Sequence, residues 1–257
     1  MIVTGSGPGR SAEVRAFRRD GSAAGASFLP YGKSFRGGVR IAVCDVDGDG
    51  VDEIVTVPGP GYPPQVTIWE LGARRATRLV TFNAGPNSYT KGFFVACGDL
   101  DGDGASEIVI GNDRGSTPEI KVYRVRGTQV TLLARDLTYE PSFTGGVRVT
   151  TADIDGDGRA EIITAPGAGR ESWVRVLKIS GNGLAELTSF EAEEPGFAAG
   201  LFIAGGKRDD LGGAVVATSP GPGGPGHIRI FSVSPAAVVE SVKATTGPSG
   251  VTLGASP

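Results

Sequence analysis

Several residue types are scarce in this chain, and each shortage closes a line of reading. There is one histidine in 257 residues and no G-x-S-x-G elbow, so a Ser-His-Asp triad would have to be built on His227 alone. No stretch of about 18 apolar residues occurs, which excludes a membrane-spanning helix, and no basic start followed by an apolar run marks a signal peptide. Aromatic bulk is thin, at five Tyr, eleven Phe and two Trp, while 42 Gly and 17 Pro supply turns; a helical bundle is not written this way. The formal charge of −3 is mild. Setting aside twelve clustered carboxylates described below leaves 16 acids against 25 Lys and Arg, too dispersed along the chain to indicate a nucleic-acid partner. The only cysteines are Cys44 and Cys97. The repeat described next places Cys97 opposite Val43 rather than Cys44, so on neighbouring strands the two side chains are expected to face opposite ways. Both are therefore read as small buried hydrophobes and not as a disulfide.

What is present is a repeat. "DVDGDGVDE" (45–53), "DLDGDGASE" (99–107) and "DIDGDGRAE" (153–161) recur at an interval of 54. The runs "VRAF" (14–17), "VTIW" (66–69), "IKVY" (120–123), "VRVL" (174–177) and "IRIF" (228–231) share that register, with the first offset by 52. Each alternates with period two, as a half-buried strand does. Before each acidic loop stands "GGVRIAVC", "KGFFVACG" or "GGVRVTTA", and after it "EIVTVP", "EIVIGN" or "EIITAP". A Gly/Pro connection, a third strand and a fourth ("RLVTF", "TLLARDL", "AELTSF") complete each unit. Four short strands per repeat predict an all-β propeller of antiparallel blades. The units run 37–90, 91–144, 145–198 and 199–248, and residues 249–257 together with 1–36 are expected to complete a fifth, shared blade of one domain spanning 1–257. Stitching a blade from both chain ends removes exposed sheet edges.

Crowding four or five carboxylates into nine residues costs self-repulsion unless a cation neutralises them. Hard divalent ions take six to eight oxygens at about 2.3–2.6 Å, and calcium suits flexible Asp-rich loops with a backbone carbonyl. The spacing assigns Asp45, Asp47, Asp49, the Val51 carbonyl and Glu53 to the first site. Asp99, Asp101, Asp103, the Ala105 carbonyl and Glu107 form the second, and Asp153, Asp155, Asp157, the Arg159 carbonyl and Glu161 the third. About three structural Ca2+ ions per chain follow. An EF-hand is rejected, because its closing Glu would fall at Thr56, Ile110 or Thr164 and its flanks would be helical.

These loops make the chain resemble the FG-GAP (VCBS) repeat family, whose integrin-like propellers carry D-x-D-x-D-G-x-x-[DE] calcium loops between the first two strands of a blade. The "FxGG" lead-ins at Phe35 and Phe143 and "APGAG" (165–169) look similar to the family as well. The fourth unit departs from the pattern, with Lys207, Asp209, Leu211 and Val215 at the ligand positions; a metal-free loop is expected there, with Lys207 offering a substitute charge. The resemblance implies an extracellular or cell-surface adhesion or recognition scaffold, non-enzymatic and monomeric, binding a protein or glycan. A lectin and a polysaccharide-degrading domain are the alternatives. His227 has the register mates Glu13, Gln65, Glu119 and Trp173, and reads as an exposed strand entrance. "GPGGPG" (221–226) satisfies G-x-G-x-x-G but precedes a strand, and its equivalents in other units mark it as a turn. Tyr62, Arg114, Arg170 and Trp173 are expected to face solvent on the Gly/Pro rim, with Trp173 the candidate for sugar stacking.

Overall fold

A computed structural model describes residues 1–208, 213–233 and 236–243. Four four-stranded antiparallel sheets follow one another along the chain, each in simple sequence order. The first contains β3 (Val39–Cys44), β4 (Glu53–Pro58), β5 (Gln65–Leu71) and β6 (Ala76–Asn83). The second contains β7 (Phe93–Gly98), β8 (Glu107–Asn112), β9 (Glu119–Arg126) and β10 (Gln129–Leu137). The third contains β11 (Val147–Ala152), β12 (Glu161–Pro166), β13 (Trp173–Ser180) and β14 (Gly183–Glu191), and the fourth β15 (Leu201–Arg208), β16 (Gly213–Pro220), β17 (His227–Val233) and β18 (Ala236–Lys243). They are propeller blades, and each begins within three residues of the strand expected from the repeat.

At the N-terminus β1 (Ile2–Gly5) pairs with β2 (Val14–Phe17), joined by single bridges from Val14 to Phe28 and from Phe17 to Ala23. Ile2 faces Phe17 just as Ile54 faces Trp69, so this two-stranded pair repeats the register of a second and third strand. The segment expected to supply its first strand, 249–257, lies outside the described residues.

Burial explains the stacking. The second strand of each complete acidic-loop blade, β4, β8 or β12, is buried along its whole length, whereas the fourth strands are mostly half-buried or exposed. Apolar side chains on both faces of the inner strands need a neighbour on each side. The core is accordingly divided into clusters between successive blades. Val55, Ile68 and Ile108 meet between the first and second, Val109, Ile120 and Ile162 between the second and third, and Ile163, Val176 and Phe231 between the third and fourth. Each blade also carries a register shift between its third and fourth strands, which adds twist at the periphery.

The "FxGG" and Gly/Pro segments prove to be interlocking backbone. A Cβ at Gly59 would lie 2.0 Å from the Gly37 carbonyl oxygen, and one at Gly167 would lie 1.8 Å from that of Gly145. Any side chain there would push the first-strand lead-in away from the loop that follows the second strand.

The cysteines correct the sequence reading. Cys44 and Cys97 form a disulfide with Cα atoms 6.3 Å apart. The opposite-face argument holds for strands hydrogen-bonded in one sheet, and these are not: within their blades Cys44 faces Glu53 and Cys97 faces Ile108. β3 and β7 are the innermost strands of two blades, packed side by side with the second sheet rotated about the propeller axis. That rotation turns a one-residue register offset into convergence.

Candidate metal sites

All three acidic loops fold alike, because the first aspartate of each organises the turn. Asp45 Oδ1 accepts hydrogen bonds from the Gly48 and Asp49 amides at 2.7 and 3.1 Å, and its Oδ2 accepts from Gly50 at 2.8 Å. Asp99 makes the same contacts with Gly102, Asp103 and Gly104, and Asp153 with Gly156 and Gly158. Gly48 and Gly50 have φ of +80° and +87°, a left-handed pair that residues with a Cβ adopt only with strain. The closing glutamate is buried and bonded back to the start of the loop: Glu53, Glu107 and Glu161 accept from the Val46, Leu100 and Ile154 amides at 2.9, 3.0 and 2.8 Å.

This arrangement draws three carboxylates together in each loop. Ligand oxygens of Asp45, Asp47 and Glu53 lie within 4.8 Å of one another, as do those of Asp99, Asp101 and Glu107, and of Asp153, Asp155 and Glu161. The remaining aspartates are engaged locally: Asp49, Asp103 and Asp157 accept from the amides of Val51, Ala105 and Arg159 at 2.8, 3.0 and 2.8 Å. Burial pushes the Glu53 and Glu107 carboxyls up to about 7, and the neighbouring aspartates add to the rise; Glu161 is raised for the same reasons. Buried oxygens that resist ionisation and converge with two other carboxylates fit a hard divalent cation, whose charge would reverse that penalty.

The loops are also chained to each other. The Asp45 carbonyl accepts from the Ser106 amide at 2.8 Å, and the Asp99 carbonyl from the Ala160 amide at 2.7 Å. Loop order in one blade is thereby transmitted to the next. Packing follows the chain: Ala105 is buried, whereas its register mate Val51 is 57% exposed.

The middle loop differs from the outer two in a way the repeat did not flag. Arg124 of β9 pairs through Nη2 with Asp101 and through Nε with Glu107 Oε1 at 3.0 Å, and Arg126 pairs with Asp103. Among the described residues no basic side chain forms an ion pair with either outer loop. The signal lay in the alternation of β9, which sets residues 124 and 126 on one face of the strand. In the fourth blade β15 and β16 run on to an Arg208–Gly213 pair; Lys207 sits within β15 opposite Ala214, and Asp209 and Leu211 lie outside the described residues.

Other candidates move as well. His227 is not an exposed entrance: its Nε2 lies 2.9 and 3.0 Å from the two oxygens of Glu193, which is buried and also meets Arg229 at 3.3 Å. Glu193 stands at the register position held by Tyr31 and Tyr139, whose hydroxyls are turned inward to Thr56 and Thr164. Tyr62 is half-buried against Tyr31 and Phe35, and Arg170 lies 4.7 Å from the Tyr139 ring centroid, so neither simply faces solvent. Arg114 is exposed, and Trp173 is 37% exposed. Tyr31, Phe35 and Tyr62 border a cleft of about 430 Å³ that also takes in Ser34 and Arg36.

Part of the chain matches a known repeat family. Residues 75–164 match the family model of the FG-GAP-like repeat. No curated protein matches the chain. Among solved structures it is similar to the exotype rhamnogalacturonan lyase YesX (16% identity, TM-score 0.48, covering 92% of this chain and 51% of that one). It is also similar to Bacillus licheniformis rhamnogalacturonan lyase PL11 (16%, 0.47, 95% and 55%) and to rhamnogalacturonan lyase YesW (18%, 0.48, 86% and 54%). The chain thus spans about half the length of these three proteins. No helix among the described residues is long and apolar enough to cross a membrane.

Proposed function

From the match of residues 75–164 to the FG-GAP-like repeat and the blade order of the sheets, we propose that this propeller is a calcium-braced, non-enzymatic recognition scaffold working outside the cell. The observation that carries this reading is the recurrence of three converging carboxylate sets on loops that hydrogen-bond to one another. Ions held there fix the inner hairpins, and the hairpins fix the blades whose opposite ends present the Gly/Pro rim to a protein or glycan. The carboxylates are engaged in holding their own loops, which supports a bracing role over a catalytic one. The disulfide supports an oxidising, exported location, where millimolar calcium fills loops of moderate affinity. A lectin is the second reading, favoured by the aromatic cleft at Tyr31, Phe35 and Tyr62 and by exposed Trp173.

Ion counting tests the scaffold reading. In excess calcium the protein should bind ions at a stoichiometry approaching three, counted by equilibrium dialysis with elemental analysis, and Asp47→Ala should remove one. An unchanged count in the variant would show that the first loop is empty. A glycan array probed with and without chelator separates the readings, since a lectin gives calcium-dependent sugar signals.

The raised glutamates also set a pH dependence. In the ion-free chain the stability tied to the protonated carboxyls is complete below the ordinary value of 4.5 and is lost as pH rises through about 7. A bound cation instead requires them ionised. The calcium-induced rise in melting temperature should therefore shrink as pH falls from about 8 to about 5.5, because protons compete for the same oxygens. Scanning fluorimetry with calcium or EDTA at each pH reads this difference; a pH-independent increment would exclude Glu53 and Glu107 as ligands.

A further inference from the structure

We propose that the three loops fill in order, the outer two first and the middle one last, because the chain supplies the middle loop with its own counter-ion. This rests on the loops being the calcium sites. Arg124 bridges Asp101 and Glu107, two of the three carboxylates that converge in that loop. The planar guanidinium spans both, and Glu107 is fully buried, so part of the cluster's charge is already neutralised at close range. Arg126 takes Asp103 in the same way. The Arg159 side chain of the third loop lies alongside as well, its Nε 3.2 Å from where a Cβ on Gly102 would be. An entering ion must displace Arg124 from two oxygens or share them with it, and either course weakens binding.

The register mates show that the arrangement belongs to one blade. Arg124 and Arg126 correspond to Glu70 and Gly72 in the first blade and to Lys178 and Ser180 in the third. Glu70 is an acid, and Lys178 is exposed with no ion pair to Asp153, Asp155, Asp157 or Glu161. The outer loops therefore have only an external cation to neutralise them. The middle loop has two states, closed on Arg124 when ion is scarce and open to the ion when it is abundant. Because it is hydrogen-bonded to both neighbours, it maintains the chain of loops when the outer ions leave.

Calcium titration of the intact chain by calorimetry and native mass spectrometry tests the order. Two ions should bind together and the third about 10- to 100-fold more weakly, the range expected from displacing a charge-assisted pair. The Arg124→Gln/Arg126→Gln variant should bring the third site to within a few-fold of the others. Glu70→Arg, at an exposed position, should transplant the effect and leave a single tight site. Hydrogen exchange adds a readout independent of affinity: on chelation, amides in 46–53 and 154–161 should lose protection while those in 100–107 keep theirs, unless both arginines are replaced. Three equivalent ions in the unaltered chain, or a third site indifferent to the arginine replacements, would overturn the ordering alone. Failure of any loop to bind an ion would overturn the calcium reading and this inference with it.

Discussion

In excess calcium the protein should melt about 10–20 °C above its midpoint in EDTA, with magnesium recovering only a small part of the difference. The size follows from mass action. A ligand bound only by the folded state at about a hundredfold excess over its Kd stabilises by roughly 2.7 kcal/mol per site, so the two tight loops contribute about 5 kcal/mol. For a chain of this length each kcal/mol shifts the midpoint by about 2–4 °C. The structure gives the reason for this expectation. Each loop holds a buried glutamate beside two aspartates and closes through glycines in the left-handed region, so its own apolar contribution is small. Asp153→Ala should remove close to half of the increment, and Asp101→Ala much less, because Arg124 already braces the middle loop. Coincident melting curves in calcium and EDTA would remove the bracing role altogether.

Breaking the Cys44–Cys97 bond should cost about 4 kcal/mol. The cross-link spans a sequence separation of 53, and closing a loop of that length in the unfolded chain accounts for roughly that much in the chain-entropy account of disulfides. The bond also joins two innermost strands that share no backbone ladder, which Arg40 of β3 further links by donating to the Phe93 carbonyl of β7 at 2.6 Å. Its loss should therefore loosen the first blade against the second while leaving the registers within each blade intact. The double variant Cys44→Ala/Cys97→Ala keeps both positions apolar, and its melting midpoint should fall by about 8–16 °C. Thiol titration of the unreduced, denatured protein should find no free sulfhydryl; two reactive thiols per chain would show the cysteines to be separate, as their sequence register alone implies.

The strands were readable in advance because their causes are local. Alternation in "VTIW" and its mates fixes which side chains face inward, and paired glycines in "DGDG" fix the hairpins. Both signals act over a few residues, and repetition at 54 confirms each one against the others. The same locality made the acidic turns legible, since the spacing of carboxylates along nine residues is a property of the turn itself. It also let Asp45 be grouped with Asp49, although in the folded loop Asp49 turns to the Val51 amide while Asp47 and Glu53 complete the converging set.

Contacts between blades were beyond reach of that reasoning. Whether Cys44 meets Cys97, whether His227 finds Glu193, and whether Tyr62 lies on Tyr31 all depend on the rotation from one sheet to the next. No residue pattern within a single repeat records that angle. Arg124 is a separate case, within one blade: its alternation on β9 was visible, but its reach into the loop between β7 and β8 follows from how the sheet twists. Residue order thus specified the blades and their acidic turns, through interactions spanning a few positions. The stacking of sheets specified that Cys44 bonds to Cys97, because side chains 53 residues apart come together only when each blade buries its apolar faces against the next, and the twist within the second blade specified which loop carries its own cation.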